Sequence, residues 1–134
     1  TYVFSPDASK DEMMAFWFTP DKHNYVAVDD GKIVATFWLR ANNPGLGSHV
    51  ANAAYMVAPE AHGKGIGRQI GLWSLDEARR LGFAAMQFNF VVKSNANAVK
   101  LWQDIGFETI GEIPEAFKHA KNGLTNAYIM YRKL

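Results

Sequence analysis

Apolar and polar positions follow two different periods along this chain, and these periods separate helices from strands. Three segments carry apolar residues at the three- and four-residue spacing of a helix: residues 9–18, 66–81 and 94–105. The first opens with a capping box, and Ser94 or Asn95 can cap the third. A glycine follows the second and the third helix directly, which is a common way for a helix to end.

Six other segments are rich in β-branched and aromatic residues and predict strands: residues 24–28, 32–40, 49–57, 84–92, 107–113 and 126–132. Asp30-Gly31 predicts a hairpin turn between the first two strands. The stretch Pro114 to Leu124 is predicted to be a mobile loop with some helical turn. Because a strand–helix–strand crossover is right-handed and makes its strands parallel, the order predicts an α+β fold with one mixed sheet.

Composition narrows the class of protein. With 134 residues, 49% of them hydrophobic, the chain predicts a single domain over residues 1–134 with a real core. The net charge of +1 argues against a nucleic-acid platform, which would carry a basic stripe. The absence of cysteine excludes disulfides, thiolate metal sites and a cysteine nucleophile. Since no apolar run or signal-peptide pattern is present, we expect a cytoplasmic protein without a membrane or metal partner.

A glycine-rich loop lies between the third strand and the second helix, with the sequence His62-Gly63-Lys64-Gly65-Ile66-Gly67-Arg68. Glycine lets the backbone approach a ligand closely, and the N–H groups and dipole at a helix start favour an anion. The spacing fits neither a Walker phosphate loop nor a dinucleotide fingerprint. The loop therefore predicts a phosphate or pyrophosphate site, with a tight turn that binds nothing as the alternative.

A second motif lies in and after the third helix: Asn95, Ala98, Leu101-Trp102 and Gly106-Phe107. Together with the glycine loop it resembles the GNAT superfamily of acetyl-CoA-dependent N-acetyltransferases. That family has a phosphate loop of the form Gln/Arg-x-x-Gly-x-Gly/Ala, followed by a helix with Asn, Ala, Leu-Tyr and Gly-Phe. In this chain His62 stands where Gln or Arg is usual, and Trp102 stands where Tyr is usual.

The resemblance implies a GNAT-like domain whose mixed, mostly antiparallel sheet has a central splayed parallel pair and helices on both faces. It implies acetyl-CoA as co-substrate, with N–H groups of residues 64–68 on the pyrophosphate. The main chain of Met56 and Val57 would pair with the pantetheine arm, near Asn95 and Trp102. A typical member has a further strand and helix before the position of Thr1, so we expect these to be missing or truncated here.

A weaker likeness is to a branch that includes fungal acetyltransferases of proline-type ring amines. It is carried by Asn52, Asn89 and residues 93–95, 101–102 and 111–114. It implies a small amino-acid-like amine as acceptor, which attacks the thioester directly without a covalent enzyme intermediate. Asn52 and Asn89 would order a water chain that removes the proton, or they could simply bond the backbone at a bulge. His49 is the next candidate base.

Three further points stay open at the level of sequence. Indole cannot release a proton, so Trp102 predicts packing. The thiolate would then leave unassisted, or Tyr55 or Tyr128 would protonate it. A non-catalytic acyl-CoA-binding sensor module, or an acetyltransferase of a protein N-terminus or lysine, is the alternative function. Many relatives dimerise through their last strands, so a homodimer would form through residues 126–134.

Overall fold

The chain forms a single mixed sheet with helices on both faces. The structure is a computed structural model, which describes residues 7–134. The helices are α1 (Lys10–Trp17), α2 (Ile66–Arg80) and α3 (Ala96–Asp104). The strands are β1 (His23–Asp29), β2 (Lys32–Ala41), β3 (Val50–Val57), β4 (Ala85–Val92), β5 (Glu108–His119) and β6 (Gly123–Lys133). Their order in the sheet is β1-β2-β3-β4-β6-β5, with only the β3–β4 pair parallel. This confirms the predicted α+β fold.

Side chains at the predicted caps define where the helices begin. The Ser9 hydroxyl accepts a hydrogen bond of 3.1 Å from the Glu12 N–H, as the capping box predicts. Asn95, rather than Ser94, caps α3, because its Oδ1 accepts from the Ala98 N–H at 3.3 Å.

Alternate residues of β2 show which helix covers which face of the sheet. Phe37 stacks on Tyr55 of β3 and meets Trp73 of α2, with ring centroids 5.5 and 5.8 Å away. The next residue, Trp38, points to the other side and meets Trp17 of α1 at 6.1 Å. One face of the sheet, the α1 face, is thus covered by α1. The other face, the α2/α3 face, is covered by α2 and by α3, whose Trp102 contacts Tyr55.

The core lies on the central strands. Leu39, Ala51, Met86 and Met130, from four neighbouring strands, have no exposed surface. Burying the side chains of Leu39, Met86 and Met130 stabilises the fold by about 1.5–3 kcal/mol each. These positions hold the centre of the sheet rigid where its parallel pair begins to open.

The parallel pair β3–β4 separates soon after it forms. Its only paired positions are Val50 with Ala85 and Ala51 with Met86. Beyond Ala51 the two strands diverge, and β4 also has a register shift against β6 between Phe88 and residue 91. The central splayed pair that the family resemblance implied is therefore present.

The predicted loop at Pro114 to Leu124 is wrong, because β5 and β6 extend into it and form a long ribbon. Phe117 pairs with Thr125, and His119 pairs with Gly123, which leaves a turn of three residues. β6 lies between β4 and β5 and is bonded on both sides. Within the segment 126–134, expected at a dimer interface, β6 is therefore paired with β5 as far as Tyr131 and with β4 as far as Lys133.

Tertiary pairing explains why local signals failed in this ribbon. Pro114 can lie in a strand because β5 is at the edge of the sheet and has a register shift between Ile113 and Phe117. Glu115 adopts a positive φ of 50° at this irregularity, and its N–H donates to the Asn126 Oδ1 at 2.9 Å. Only the partner strand reveals this compensation.

Candidate active site

A cavity of about 330 Å³ opens where β3 and β4 separate. This volume is in the range of small-molecule sites, roughly 300–1,000 Å³. The cavity brings together four residues predicted for the site: Asn52, Asn89, Asn95 and Trp102. His49 is exposed and does not line it. The splay thus brings these four predicted side chains together, whereas Met56, Val57 and the loop of residues 62–68 are not part of the cavity lining.

The glycine loop leads from the end of β3 into α2. Gly63 and Gly65 have φ values of 82° and 73°, and a Cβ on either would meet no protein atom within 4 Å. Gly65 is the cap of α2, and its C=O accepts the first helical bond, from the Gln69 N–H at 3.1 Å. The N–H groups of Ile66, Gly67 and Arg68 therefore lack partners inside the helix. With the exposed Lys64 and Arg68 beside them, these N–H groups can hold an anion.

His62 ties this loop to the strand before it. Its Nε2 lies 3.1 Å from the C=O of Val57. A protonated Nε2 would donate to that oxygen and fix the distance between the end of β3 and the loop. His62, which stands at the Gln or Arg position of the motif, is thus in contact with the end of β3.

Hydrogen bonds of β3 alternate between its two sides. The Ala58 N–H donates to Val34 and the Asn42 N–H donates to Val50, at 2.8 Å each, so even-numbered residues of β3 bond to β2. The main chain of Met56 therefore faces β2. The main-chain groups of Val57, and of Tyr55 two residues earlier, are directed into the gap. Of the two residues predicted to pair with a ligand arm, only Val57 is placed to do so.

The two asparagines of the cavity are held in different ways. The Asn52 Oδ1 accepts from the Ala53 N–H at 2.8 Å, and its Nδ2 has no partner among residues 7–134. Asn89 exchanges two hydrogen bonds, of 3.2 and 2.7 Å, with Asn42 in the loop after β2. Gln87 also donates to the Asn89 Oδ1 at 2.9 Å. Asn52 thus bonds to the backbone and lines the cavity, whereas Asn89 belongs to a cluster of amides.

Trp102 packs in an aromatic cluster on the α2/α3 face. Its ring centroid lies 4.9 Å from that of Tyr55 and 4.7 Å from that of Phe88. The Tyr55 hydroxyl is 2.6 Å from the Ser74 Oγ, which itself donates to the C=O of Gly71 at 2.6 Å. Since Ser74 has one proton to give, the Tyr55 hydroxyl donates to it. Tyr55 is therefore occupied beneath α2.

Two residues that the sequence did not indicate line the cavity on the α1 face. The Trp38 Nε1 and the Arg40 Nε are buried, and neither has a hydrogen-bond partner in the described part of the chain. Close to them, the Lys22 ammonium donates to the C=O of Phe16 and lies 4.6 Å from the Trp38 ring centroid. Burial, and next the charge of Arg40, lower the pKa of Lys22. Only the register of the β2–β3 pair could have revealed this group.

Residues 7–134 lack two further features, a membrane-spanning helix and a cluster of metal ligands. None of the helices in this range combines the length and the apolar character that crossing a bilayer requires. The same range has no cluster of three or more His, Cys, Asp or Glu side chains arranged to hold a metal ion.

Comparison with known proteins places the motifs in a family context. Residues 1–107 match the acetyltransferase (GNAT) family. The N-acetyltransferase aca1 of Schizosaccharomyces pombe is 34% identical over 98 residues, which are 72% of this chain and 47% of that protein. A mycothiol acetyltransferase of Nocardiopsis dassonvillei is 30% identical over 96 residues, 68% of this chain and 29% of that protein. The chain thus spans half the length or less of these curated relatives.

Solved structures show the same fold over nearly the whole chain. A GCN5-related N-acetyltransferase from Kribbella flavida has a TM-score of 0.93 and 42% identity, covering 99% of this chain and 82% of that one. The structure of yncA from Salmonella typhimurium, which contains its cofactor acetyl-CoA, has a TM-score of 0.74 and 23% identity. It covers 84% of this chain and 65% of that one, and at this identity the likeness concerns the fold.

Proposed function

Because the chain belongs to the GNAT family of acetyltransferases, we propose that it transfers the acetyl group of acetyl-CoA to the amine of a small molecule. The observation that carries this proposal is the continuity of two features. The anion-binding loop at the start of α2 lies at the end of β3, and the gap beside β3 leads from there into the cavity. One extended molecule with a phosphate group at one end could occupy both.

The glycine-rich loop before α2 fits a pyrophosphate. The N–H groups at the start of α2 would bind its oxygens, and Lys64 and Arg68 would add positive charge. Gly63 and Gly65 leave the space where a Cβ would project free of protein atoms. His62 would keep the loop at a fixed distance from β3 through its contact with Val57.

The gap fits the pantetheine arm as an added strand. The main chain of Val57 is directed into the gap and would pair with an amide of the arm, since β4 no longer occupies that side. On the α2/α3 side, Trp102 and Ala98 line the cavity and would pack against the arm. Asn95 would act near the arm by fixing the first turn of α3 through its cap. The thioester would then lie near Ala53, where the gap closes.

The acceptor amine would approach from the α1 face. Its neutral nitrogen attacks the thioester carbonyl, the C–N bond forms, and the C–S bond breaks to release CoA as a thiolate. The nitrogen loses its proton to a water chain that Asn52 and Asn89 order at the cavity wall. His49, exposed outside the cavity, could take this proton only through solvent. No covalent enzyme intermediate is formed.

We further propose that the enzyme is cytoplasmic and acts on a free small molecule rather than on nucleic acid or a membrane. The net charge of +1 supports this, since a nucleic-acid platform would be basic. The proposal also includes a homodimer. Since β6 is paired on both sides, the contact would use side chains of the terminal ribbon or the edge of β5. Sedimentation velocity tests this part, and a monomer over the whole concentration range would contradict it.

Thiol release and product mass test the proposed reaction together. We expect the protein to release CoA from acetyl-CoA only when an amine is present, and the amine to appear as its N-acetyl derivative in mass spectrometry. Binding of acetyl-CoA without release, across primary and secondary amines, would contradict acetyl transfer to small amines and favour a sensor module. Release with only a peptide or protein acceptor would move the proposal to a protein substrate.

A further inference from the structure

We infer that the acceptor carries a carboxylate and that Arg40 and Trp38 form its binding subsite. The inference rests on the proposed function, because it specifies the substrate of that reaction. It identifies the acceptor class as amino acids with a free carboxylate, in contrast to simple amines, amino-acid amides and protein N-termini.

Two buried donors without partners are the first evidence. Trp38 is only 3% exposed, yet its Nε1 has no hydrogen-bond partner within residues 7–134. The Arg40 Nε is also buried and has no hydrogen-bond partner within these residues. Buried polar atoms in folded proteins almost always have a partner, and the exceptions require an explanation. Both residues line the cavity, and the two nitrogens lie just beneath its surface, so a ligand that shifts the neighbouring side chains would supply the missing acceptor atoms.

The position of these donors is the second evidence. Arg40 is paired directly with Asn52, and Trp38 with Ala54, so these side chains share the α1 face with Asn52. Directly opposed residues of an antiparallel pair have Cβ atoms about 4.5–5.5 Å apart. Asn52 follows Ala51, the last residue of β3 that is paired with β4. The donors thus lie beside the closed end of the gap, where the proposed reaction places the thioester.

Charge is the third evidence. Within residues 7–134, Arg40 is the only charged residue that lines the cavity. The Lys22 ammonium lies 3.9 Å from the Phe16 ring centroid at the same end. One carboxylate opposes them, since Asp21 lies 3.6 Å from the Arg40 Nη1, and its side chain is 61% exposed. The cations therefore outnumber the anion here. A charged donor and a second N–H favour a carboxylate over a neutral carbonyl, because charge-assisted hydrogen bonds are the stronger kind.

Matched substrates test the inference. Each amino acid of a panel, primary and secondary, is compared with its own carboxamide and with the amine that lacks the carboxyl group. We expect kcat/KM for the acids to exceed that for the amides by roughly 10- to 100-fold, as expected for a charge-assisted hydrogen bond. The same assay reports CoA release, so it also tests the proposed function.

Two variants assign the preference to its residues. Arg40→Met keeps the aliphatic stem, and Trp38→Phe keeps a ring against Trp17. Each should raise KM for the acids and leave the amides and the affinity for acetyl-CoA unchanged. Asp21→Asn is the matched control for loss of the ion pair, and Arg79→Gln is the control for loss of an exposed arginine. We expect both controls to keep the preference for acids.

The outcomes separate the two levels of the account. Amides that react as well as acids would overturn the carboxylate subsite while leaving acetyl transfer intact. A preference for acids that survives both Arg40→Met and Trp38→Phe would also overturn the assignment. If Asp21→Asn abolishes the preference as Arg40→Met does, the ion pair rather than the subsite is responsible. No CoA release with any amine would contradict the proposed function and, with it, the inference.

Discussion

The two sides of the cavity, towards α2/α3 and towards α1, differ in the kind of group that they offer to a ligand. On the α2/α3 side, the groups that we propose to bind acetyl-CoA are mostly main-chain groups: the N–H groups at the start of α2 and the edge of β3 beyond Ala51. On the α1 side, the groups that we propose to bind the acceptor are side chains: Trp38, Arg40, Asn52 and Asn89. A main-chain site depends on glycine spacing and helix position and is therefore visible in a short stretch of sequence. A side-chain site depends on strand register across distant segments.

The largest expected effect concerns the main-chain side. Gly65→Val should weaken acetyl-CoA binding by roughly 100-fold or more, because several charge-assisted N–H contacts depend on the loop geometry. Gly65 has φ of 73° and no protein atom within 4 Å of a Cβ, so the cost to folding should be only about 1–3 kcal/mol. Calorimetric titration with acetyl-CoA measures the change.

Gly31→Val is the matched control for this change. Gly31 has φ of 77° and equally open surroundings, but it lies in the β1–β2 hairpin. The control should lose a similar amount of stability and keep its affinity for acetyl-CoA. Equal affinities for the two variants would remove the loop from the cofactor site.

The next effect concerns the side-chain side. Asn52→Ala should lower kcat/KM for the acceptor roughly tenfold or more, as expected for a lost hydrogen bond in a partly buried site. The affinity for acetyl-CoA should stay unchanged, because Asn52 lies on the α1 face. Steady-state kinetics with both substrates varied separates the two effects.

Asn42→Ala serves as the comparison for this region. Asn42 does not line the cavity but holds Asn89 through two hydrogen bonds. Asn42→Ala should therefore reduce turnover less than Asn89→Ala does.

If Asn52→Ala lowers the affinity for acetyl-CoA as much as it lowers turnover, the division between the two sides is wrong.

Trp102 lies on the boundary and should give a smaller effect. Trp102→Phe and Trp102→Tyr should both weaken acetyl-CoA binding a few-fold through lost apolar contact, since each buried CH₂ contributes only about 0.8 kcal/mol. The two variants should have the same kcat at every pH, because we expect the thiolate to leave without an acid. A faster Trp102→Tyr variant, with a new limb in its pH profile, would show that a hydroxyl here assists the reaction.

The smallest effect concerns stability alone, at a position outside both halves of the site. The hydrogen bond from Arg80 holds the pKa of Glu77 below its ordinary value of 4.5, against the opposing effect of burial. A lowered folded-state pKa means that this stabilisation is present above pH 4.5 and is lost as the pH falls through the folded-state pKa. In Glu77→Gln, the free energy of unfolding, measured with urea at a series of pH values, should therefore fall less steeply below pH 4.5 than in the unsubstituted protein. An unchanged acid side would contradict the pairing.

The sequence predicted the elements whose signals are local. The cap at Asn95 and the glycine loop before α2 follow from neighbouring residues, and their positions are as predicted. The ribbon at residues 114–124 was missed because Pro114 indicates a break, whereas the edge position and the bond from Glu115 to Asn126 permit a strand. The same distinction holds for the candidate site. The position of Arg40 at the cavity follows from its pairing with Asn52 in a distant segment, which no local signal indicates.

The central claim is that acetyl-CoA lies along β3 with its pyrophosphate on the loop before α2. Backbone amide NMR during titration with acetyl-CoA tests it most directly. We predict that the N–H signals of Val57 and of residues 64–68 shift and exchange more slowly with solvent, while the N–H of Met56, which faces β2, changes little. Shifts confined to other strands, or equal effects at Met56 and Val57, would contradict the claim.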